Sequence, residues 1–403
     1  MLKHSTLRQF FGLALFCSCA VLHAAGVLHA FKTSAASNPV GAPVMDAAGN
    51  LYGVTDGGGI GGNGTIFELV YHGPGEYTLT TLYEFNAYPG DGYGPGVGLV
   101  RDSVGNLYGT TQWGGAYGAG IAFELSPAAG GAWNYQILYS FSSACGGGLP
   151  EGRLYMDGAG NLYGTTEIGG ANCSGTVFKL TPGQGGWIEK DIHTFTGSTD
   201  GANPVGGLIA DGAGNLYGTT DGGGTGLYGV VYELSPSGSF WAETVLYSFQ
   251  KENDGNAPTG ELVRDAAGNL YGLTGNADGS YDKSTAFELS PSPSGWIETI
   301  IHRFSQSTPA GYNPHSGLVA DSAGNLYGAN YYGGAYDAGT VFKLSPNGSG
   351  GWNDTVLITF NGTNGANPLG NLILDATGNI YGSAFHGDGN INYNGVVYQI
   401  AAR

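Results

Sequence analysis

Apolar and polar positions alternate with a period of two along most of the chain, in short runs that end at Gly, Asn, Asp or Pro. Such runs are the pattern of half-buried strands joined by tight turns. Residues 207–210, 215–219, 230–234 and 241–249 give four in succession. In the last of these Trp241, Val245, Tyr247 and Phe249 share one face, with only Glu243 interrupting it. Outside residues 1–25 no stretch shows the spacing of an amphipathic helix.

This group of four strands recurs. The string Gly-Asn-Leu-Tyr-Gly, or a close variant, places its Asn at 50, 106, 161, 215, 269, 325 and 379, at intervals of 54 to 56 residues. Each copy is preceded by Asp-x-x and followed by a Gly-rich stretch. Then comes a segment such as Gly-Thr-Val-Phe-Lys-Leu (175–180), and a Trp-led segment ending in Phe. Four strands in each of seven units predict an all-β fold, a seven-bladed β-propeller of four-stranded blades. A parallel β-helix is the competing repeat architecture, but its rungs are much shorter than these units. The chain ends predict how the ring closes. Residues 27–31 match the fourth-strand endings at 137–141 and 245–249 yet precede the first unit, whereas the last unit stops after its third strand at 395–400. The N-terminal segment is therefore expected to complete the last blade and remove its open edge.

The repeated Gly-Asn-Leu-Tyr-Gly-Thr-Thr, the Gly-Gly pair and Gly-Thr-Val-Phe-Lys-Leu resemble the GloVer tandem repeat of exported bacterial proteins, across nearly all of residues 26–403. The resemblance implies export and a repeat fold; it carries no catalytic residues.

Composition agrees with strands and turns. Gly accounts for 77 of 403 residues, about 19 % against a usual ~7 %, which excludes long helices. Aromatics at 12 % and charged residues at only 11 % exclude disorder. The formal net charge of −18 opposes nucleic acid and anionic membrane surfaces. Residues 1–25 read as a secretory signal peptide: Lys3 and Arg8 are basic, 10–22 is apolar, and Ala24 and Ala25 offer a cleavage site. An uncleaved anchor is the alternative. Losing Lys3 and Arg8 takes the charge from −18 to −20 and leaves 26–403 as one secreted or periplasmic propeller with no further membrane span, expected to be monomeric. Cys17 and Cys19 leave with the leader. Export then favours a disulfide between Cys145 and Cys173, on top-face loops of neighbouring blades.

Most residues with chemical potential have structural explanations. Asp46, Asp102, Asp157, Asp211, Asp265, Asp321 and Asp375 each open the same turn, where Asp accepts backbone N–H groups. Trp133, Trp187, Trp241, Trp296 and Trp352 start fourth strands and read as packing between blades. His29, His193 and His302 stand where sibling units carry Tyr or Ile, so they read as packing too.

Departures between units are more informative. At the third position of the inner strand the units read Ala42, Gly98, Arg153, Gly207, Glu261, Gly317 and Asn371. Glu151 and His315 lie two residues earlier in their own strands, and loop departures add Trp113, Asp278, Asp282, His386 and Asp388. Glu151, Arg153, Glu261, His315, Asn371, Trp113 and His386 are therefore the candidate ligand-binding residues, on the top face at the channel mouth. Asp388, Asn390 and Asn392 alternate oxygen ligands as calcium loops do, although Tyr393 occupies the sixth place and Gln399 the twelfth. No cofactor is expected beyond that calcium candidate. Nucleophile-elbow, zinc-protease and nucleotide-loop motifs are missing from the sequence. The reading is a non-catalytic binder of an extracellular glycan or protein. The alternatives are a carbohydrate-active lyase or hydrolase using Glu151, Arg153, Glu261 and His315, and a structural surface protein.

Overall fold

The structure, a computed structural model, describes residues 25–32, 35–86, 90–142, 148–250, 254–275, 284–387 and 394–402. Seven antiparallel sheets form a ring. Blade one runs Ser37–Met45, Leu51–Gly57, Thr65–Gly73 and Glu76–Glu84, and the same meander repeats through blade six, which ends with Trp352–Thr359. Blade seven contributes Ala366–Pro368 with Ile373–Leu374, then Ile380–His386 and Val396–Ile400. Its fourth strand is Ala25–Ala30, antiparallel to Val396–Ile400, with Val27 opposite Tyr398. The expected closure is thus the observed one.

A shared irregularity identifies Ala25–Ala30 as a genuine fourth strand. In all seven blades the ladder between the third and fourth strands shifts register at the same place, near the end of the fourth strand; blade one has a second shift, between Tyr71 and Gly73. The residue skipped by that shift is always aliphatic: Leu82, Leu138, Ile192, Leu246, Ile301, Leu357 and, in the closing strand, Leu28. A bulge increases the local twist, which each outer strand needs as it wraps its blade.

The motif acts as its composition suggests. Asp46 Oδ1 accepts from the backbone N–H groups of Ala48 and Asn50 at 2.9 Å, and Oδ2 accepts from Asn50 Nδ2 at 3.0 Å and Tyr52 Oη at 3.2 Å. Partial burial pushes this carboxyl upward, but the hydrogen bonds from Asn50, Ala48 and Tyr52 outweigh it and hold the pKa below the ordinary value. Asp157, Asp211, Asp321 and Asp375 repeat the arrangement. The Trp side chains pack across blade interfaces: Tyr52–Trp133, Tyr108–Trp187, Tyr163–Trp241 and Tyr271–Trp352 are edge-to-face at 6.0–6.1 Å. His29, His193 and His302 stand edge-on to Phe31, Phe195 and Phe304, as Tyr139 and Tyr247 do to Phe141 and Phe249.

Glycine sets the bore. A Cβ at Gly206 would lie 2.4 Å from Gly260 O, and one at Gly260 would lie 2.3 Å from Gly317 N. Neighbouring inner strands therefore touch backbone to backbone at this level, an approach that only Gly permits.

Candidate ligand-binding site at the channel mouth

The site is built where each blade's first strand begins beside the end of its second, as the pairing of Tyr312 with Tyr332 illustrates in blade six. In every blade a left-handed residue followed by Pro leads into the inner strand or stands near its start. Asn38, Gly94, Leu149, Asn203, Ala257, Asn313 and Asn367 have φ of 46° to 61°. Asn tolerates this region best among residues with side chains, and here it also ties blades together. Asn38, Asn203 and Asn367 donate their amides to Phe385 O, Glu167 O and Tyr331 O of the preceding blade at 2.9, 3.2 and 3.0 Å. Leu149 and Ala257 hold the same strained conformation without that compensation, at a cost of about 1–2 kcal/mol each, and Ala257 lines the cavity.

Two rings of side chains surround the mouth. The residues immediately after the seven prolines are Val40, Gly96, Glu151, Val205, Thr259, His315 and Leu369. The residues that follow the buried fifth position of each second strand are Asp56, Gln112, Glu167, Asp221, Gly275, Tyr331 and Phe385. Between them lies a cavity of about 360 Å³ to which blades two to seven all contribute, lined by Glu151, Val205, Asp221, Thr259, His315 and Asn371 among others.

The electrostatics of this cavity are unusual for exposed loops. Burial, then the charges of Glu167 and Asp221, push the Glu151 carboxyl up to about 7. Burial and Glu167 push Asp221 up to about 6. Gln112 Nε2 donates to Glu151 Oε1 at 3.1 Å across the blade interface. His315 is open to solvent at the mouth, but the protein crowded around its ring desolvates it and lowers its pKa. Asn313 Nδ2 donates to His315 Nε2 at 3.1 Å, and the ring stands edge-on to Tyr331 at 5.3 Å. Asn371 Oδ1 accepts from Gly317 N at 2.6 Å.

Arg153 and Glu261 lie two residues further along their strands, roughly 7 Å deeper. They engage each other: Arg153 Nε and an Nη atom reach the two oxygens of Glu261 at 2.9 and 3.1 Å. The pair spans blade four above Gly207, where a Cβ would come within 2.6 Å of Glu261 Oε1. The alternation of large and small residues in this ring is therefore a packing solution, each long side chain lying over a neighbouring blade's glycine. Arg153 remains about one-third exposed and Glu261 12 % exposed.

Glu151, His315 and Asn371 thus share one cavity, with the Arg153–Glu261 pair beneath. Trp113 and His386 do not line it. Trp113, 40 % exposed, ends the second strand of blade two opposite Tyr93. His386 Nδ1 lies 3.1 Å from Asn367 Oδ1, at the corresponding end in blade seven. Cys145, Asp278, Asp282 and the calcium candidates Asp388, Asn390 and Asn392 fall outside the described residues, as does the leader through residue 24. Among the described residues no three His, Cys, Asp or Glu side chains are arranged to hold a metal ion, and no helix is long and apolar enough to cross a membrane.

Sequence reasoning misses Asp221, Glu167, Thr259 and Tyr331. Their trace is nevertheless present: in units that repeat Leu-Tyr-Gly-Thr-Thr closely, the next residue varies among acid, amide, Gly and aromatic. Chemically, the cavity offers carboxylates, an amide, a hydroxyl and a neutral imidazole around an aromatic edge.

Comparison with known proteins places the chain by its repeat. The pattern of the Gloeobacter/Verrucomicrobia repeat matches residues 21–210, 134–320 and 209–403. No curated protein matches the sequence significantly. PorZ, a surface component of the type-IX secretion system of Porphyromonas gingivalis, superposes with a TM-score of 0.53 at 16 % identity, over 90 % of this chain and 46 % of PorZ. A putative oxidoreductase (glucose dehydrogenase) of Thermus thermophilus gives a TM-score of 0.48 at 15 % identity, covering 94 % and 99 % of the two chains. At these identities the likeness is one of fold.

Proposed function

The chain belongs to the Gloeobacter/Verrucomicrobia repeat family, and we propose that it is an exported, non-catalytic binder of an extracellular glycan, held at the mouth of the central channel. The observation that carries this reading is the cavity of about 360 Å³ on which Glu151, Asp221, Thr259, His315 and Asn371 converge from five blades. Its size falls in the range of small-ligand sites. Carboxylate and amide oxygens accept from sugar hydroxyls, and Tyr331 beside His315 offers an apolar edge to a sugar ring. Export rests on the leader-like residues 1–25. The proposed Cys145–Cys173 bridge belongs to the same reading: these are the two cysteines downstream of the leader, and an exported chain meets conditions in which a disulfide persists.

One observation favours the enzyme alternative. Glu151 and Asp221, at about 7 and about 6, share a cavity in which one can hold a proton while the other is ionised. A glycan array probed with the secreted chain tests the binding reading; Glu151→Gln and Asn371→Ala should each weaken any hit about tenfold or more, a loss of roughly 1.4 kcal/mol. Binding of no glycan removes the reading. Release of shorter products from a bound glycan, abolished by Glu151→Gln, replaces binder with enzyme.

A further inference from the structure

A second, larger cavity lies away from the channel, on the top rim of blade six. It measures about 850 Å³ and is lined by Gln306, Thr308, Tyr312, Asp337, Val356 and Ile358, among others. Its walls are the loop entering blade six, the loop between that blade's second and third strands, and the end of its outer strand. Tyr312 Oη donates to Asp337 Oδ1 at 2.9 Å, which also accepts from Gly333 N at 2.9 Å. That carboxylate fixes the cavity's inner corner.

Aromatic rings connect this cavity to the channel mouth. His315, which lines the mouth, stands 5.3 Å from Tyr331. Tyr331 is 4.8 Å from Tyr332, edge-on. Tyr332 stacks on Tyr312 at 5.5 Å and 24°, and Tyr312 lines the rim cavity. Tyr336, 68 % exposed, stands on the same loop. The matching pairs in sibling blades are Asp56-Gly57, Gln112-Trp113, Glu167-Ile168, Asp221-Gly222, Gly275-Asn276 and Phe385-His386, so the double Tyr belongs to blade six. Tyr331 and Tyr332 stay partly open to solvent, whereas Tyr312, 8 % exposed, is buried beneath Tyr332.

We propose that this track binds an extended, uncharged oligosaccharide, one end in the channel mouth and the other in the rim cavity of blade six. The proposal rests on the glycan reading above and gives it a polarity and a length. Steps of about 5 Å between ring centres suit a chain of six-membered sugar rings, whose C–H faces would rest on His315, Tyr331 and Tyr332 while the buried Tyr312 holds Tyr332 in place at the edge of the rim cavity. Gln306, Thr308 and Asp337 at one end, and Asn371, Thr259 and Glu151 at the other, take the hydroxyls. Glu151, Glu167 and Asp221 set a negative field at the mouth that repels a chain of sugar acids.

The test is calorimetric titration of the full secreted chain with gluco- and manno-oligosaccharides from one sugar unit to six, beside oligogalacturonates of the same lengths. Affinity for a neutral series should rise at least tenfold from the disaccharide to the hexasaccharide. Tyr336→Ala should erase part of that rise while leaving disaccharide affinity and the melting midpoint unchanged, and Tyr332→Leu, whose ring also packs on Tyr312, should erase most of it while leaving disaccharide affinity unchanged. His315→Ala should weaken every length. A neutral series whose affinity does not depend on length, or whose length dependence survives both tyrosine changes, overturns the track but leaves the mouth as a glycan site. Tighter binding of oligogalacturonates overturns the uncharged ligand. Binding of neither series removes the track together with these glycans as ligands of the mouth.

Discussion

Tyr232 and Tyr398 occupy the position held by Phe67, Phe123, Phe178, Phe287 and Phe342 in the other blades, and both are fully buried. Their hydroxyls have no hydrogen-bond partner; each lies over the backbone of a second-strand glycine, Gly218 or Gly382. An unpaired buried hydroxyl costs about 1–3 kcal/mol, and five sibling blades show that the ring fits without it. Tyr232→Phe and Tyr398→Phe should therefore each stabilise the protein by about 1 kcal/mol or more. Blades four and seven are far apart in the ring, so the two gains should add. For a chain of this length, unfolding entropy of about 2.1 cal/mol/K per residue converts 1–3 kcal/mol into a rise in Tm of roughly 1–4 °C. Guanidinium unfolding should show a higher midpoint at unchanged slope. The reverse change, Phe178→Tyr, should lose a similar amount. A clear loss of stability in Tyr232→Phe would refute the reasoning, because the hydroxyl would then be serving a buried water.

Removing residues 26–33 takes away the strand paired with Val396–Ile400 and exposes a sheet edge; the truncated chain should melt at a sharply lower temperature or aggregate in size-exclusion chromatography. At the blade interfaces, burial first and then Asp200 or Asp254 push Glu243 and Glu298 up to about 7, against an ordinary 4.5. A raised acid contributes stability below pH 4.5 that is lost as pH rises through 7, so Glu243→Gln should match the parent near pH 5 and exceed it by about 1 kcal/mol at pH 8, after discounting for partial exposure. The half-buried His193 and His302, with lowered pKa, act in the opposite sense below 6.5, which is why the comparison is between variant and parent at each pH. Mass spectrometry of unreduced protein should show Cys145 and Cys173 as one linked peptide pair, with a stabilisation of about 3 kcal/mol that reduction removes; two alkylated thiols would refute the bridge.

The fold was legible because it is written seven times. A strand pattern that is ambiguous once becomes decisive when Asp-x-x-Gly-Asn recurs at constant spacing, and the mismatch between the two chain ends already implied the clasp that Ala25–Ala30 makes. The site was legible only in part, for a reason that follows from the same repetition. Comparing units exposes which blade departs from its siblings, and that found Glu151, His315 and Asn371. It does not reveal which departures answer one another across the bore. Arg153 and Glu261 are 108 residues apart and meet above Gly207, a pairing set by the ring's curvature rather than by spacing. The same limit hid the aromatic track. Tyr331 and Tyr332 form one second-strand end, His315 and Tyr312 one first-strand start, and only the antiparallel pairing of Tyr312 with Tyr332 turns two ordinary loops into a continuous surface. In a closed repeat, then, the units define the scaffold, and the chemistry lies in pairs of deviations that the scaffold brings together.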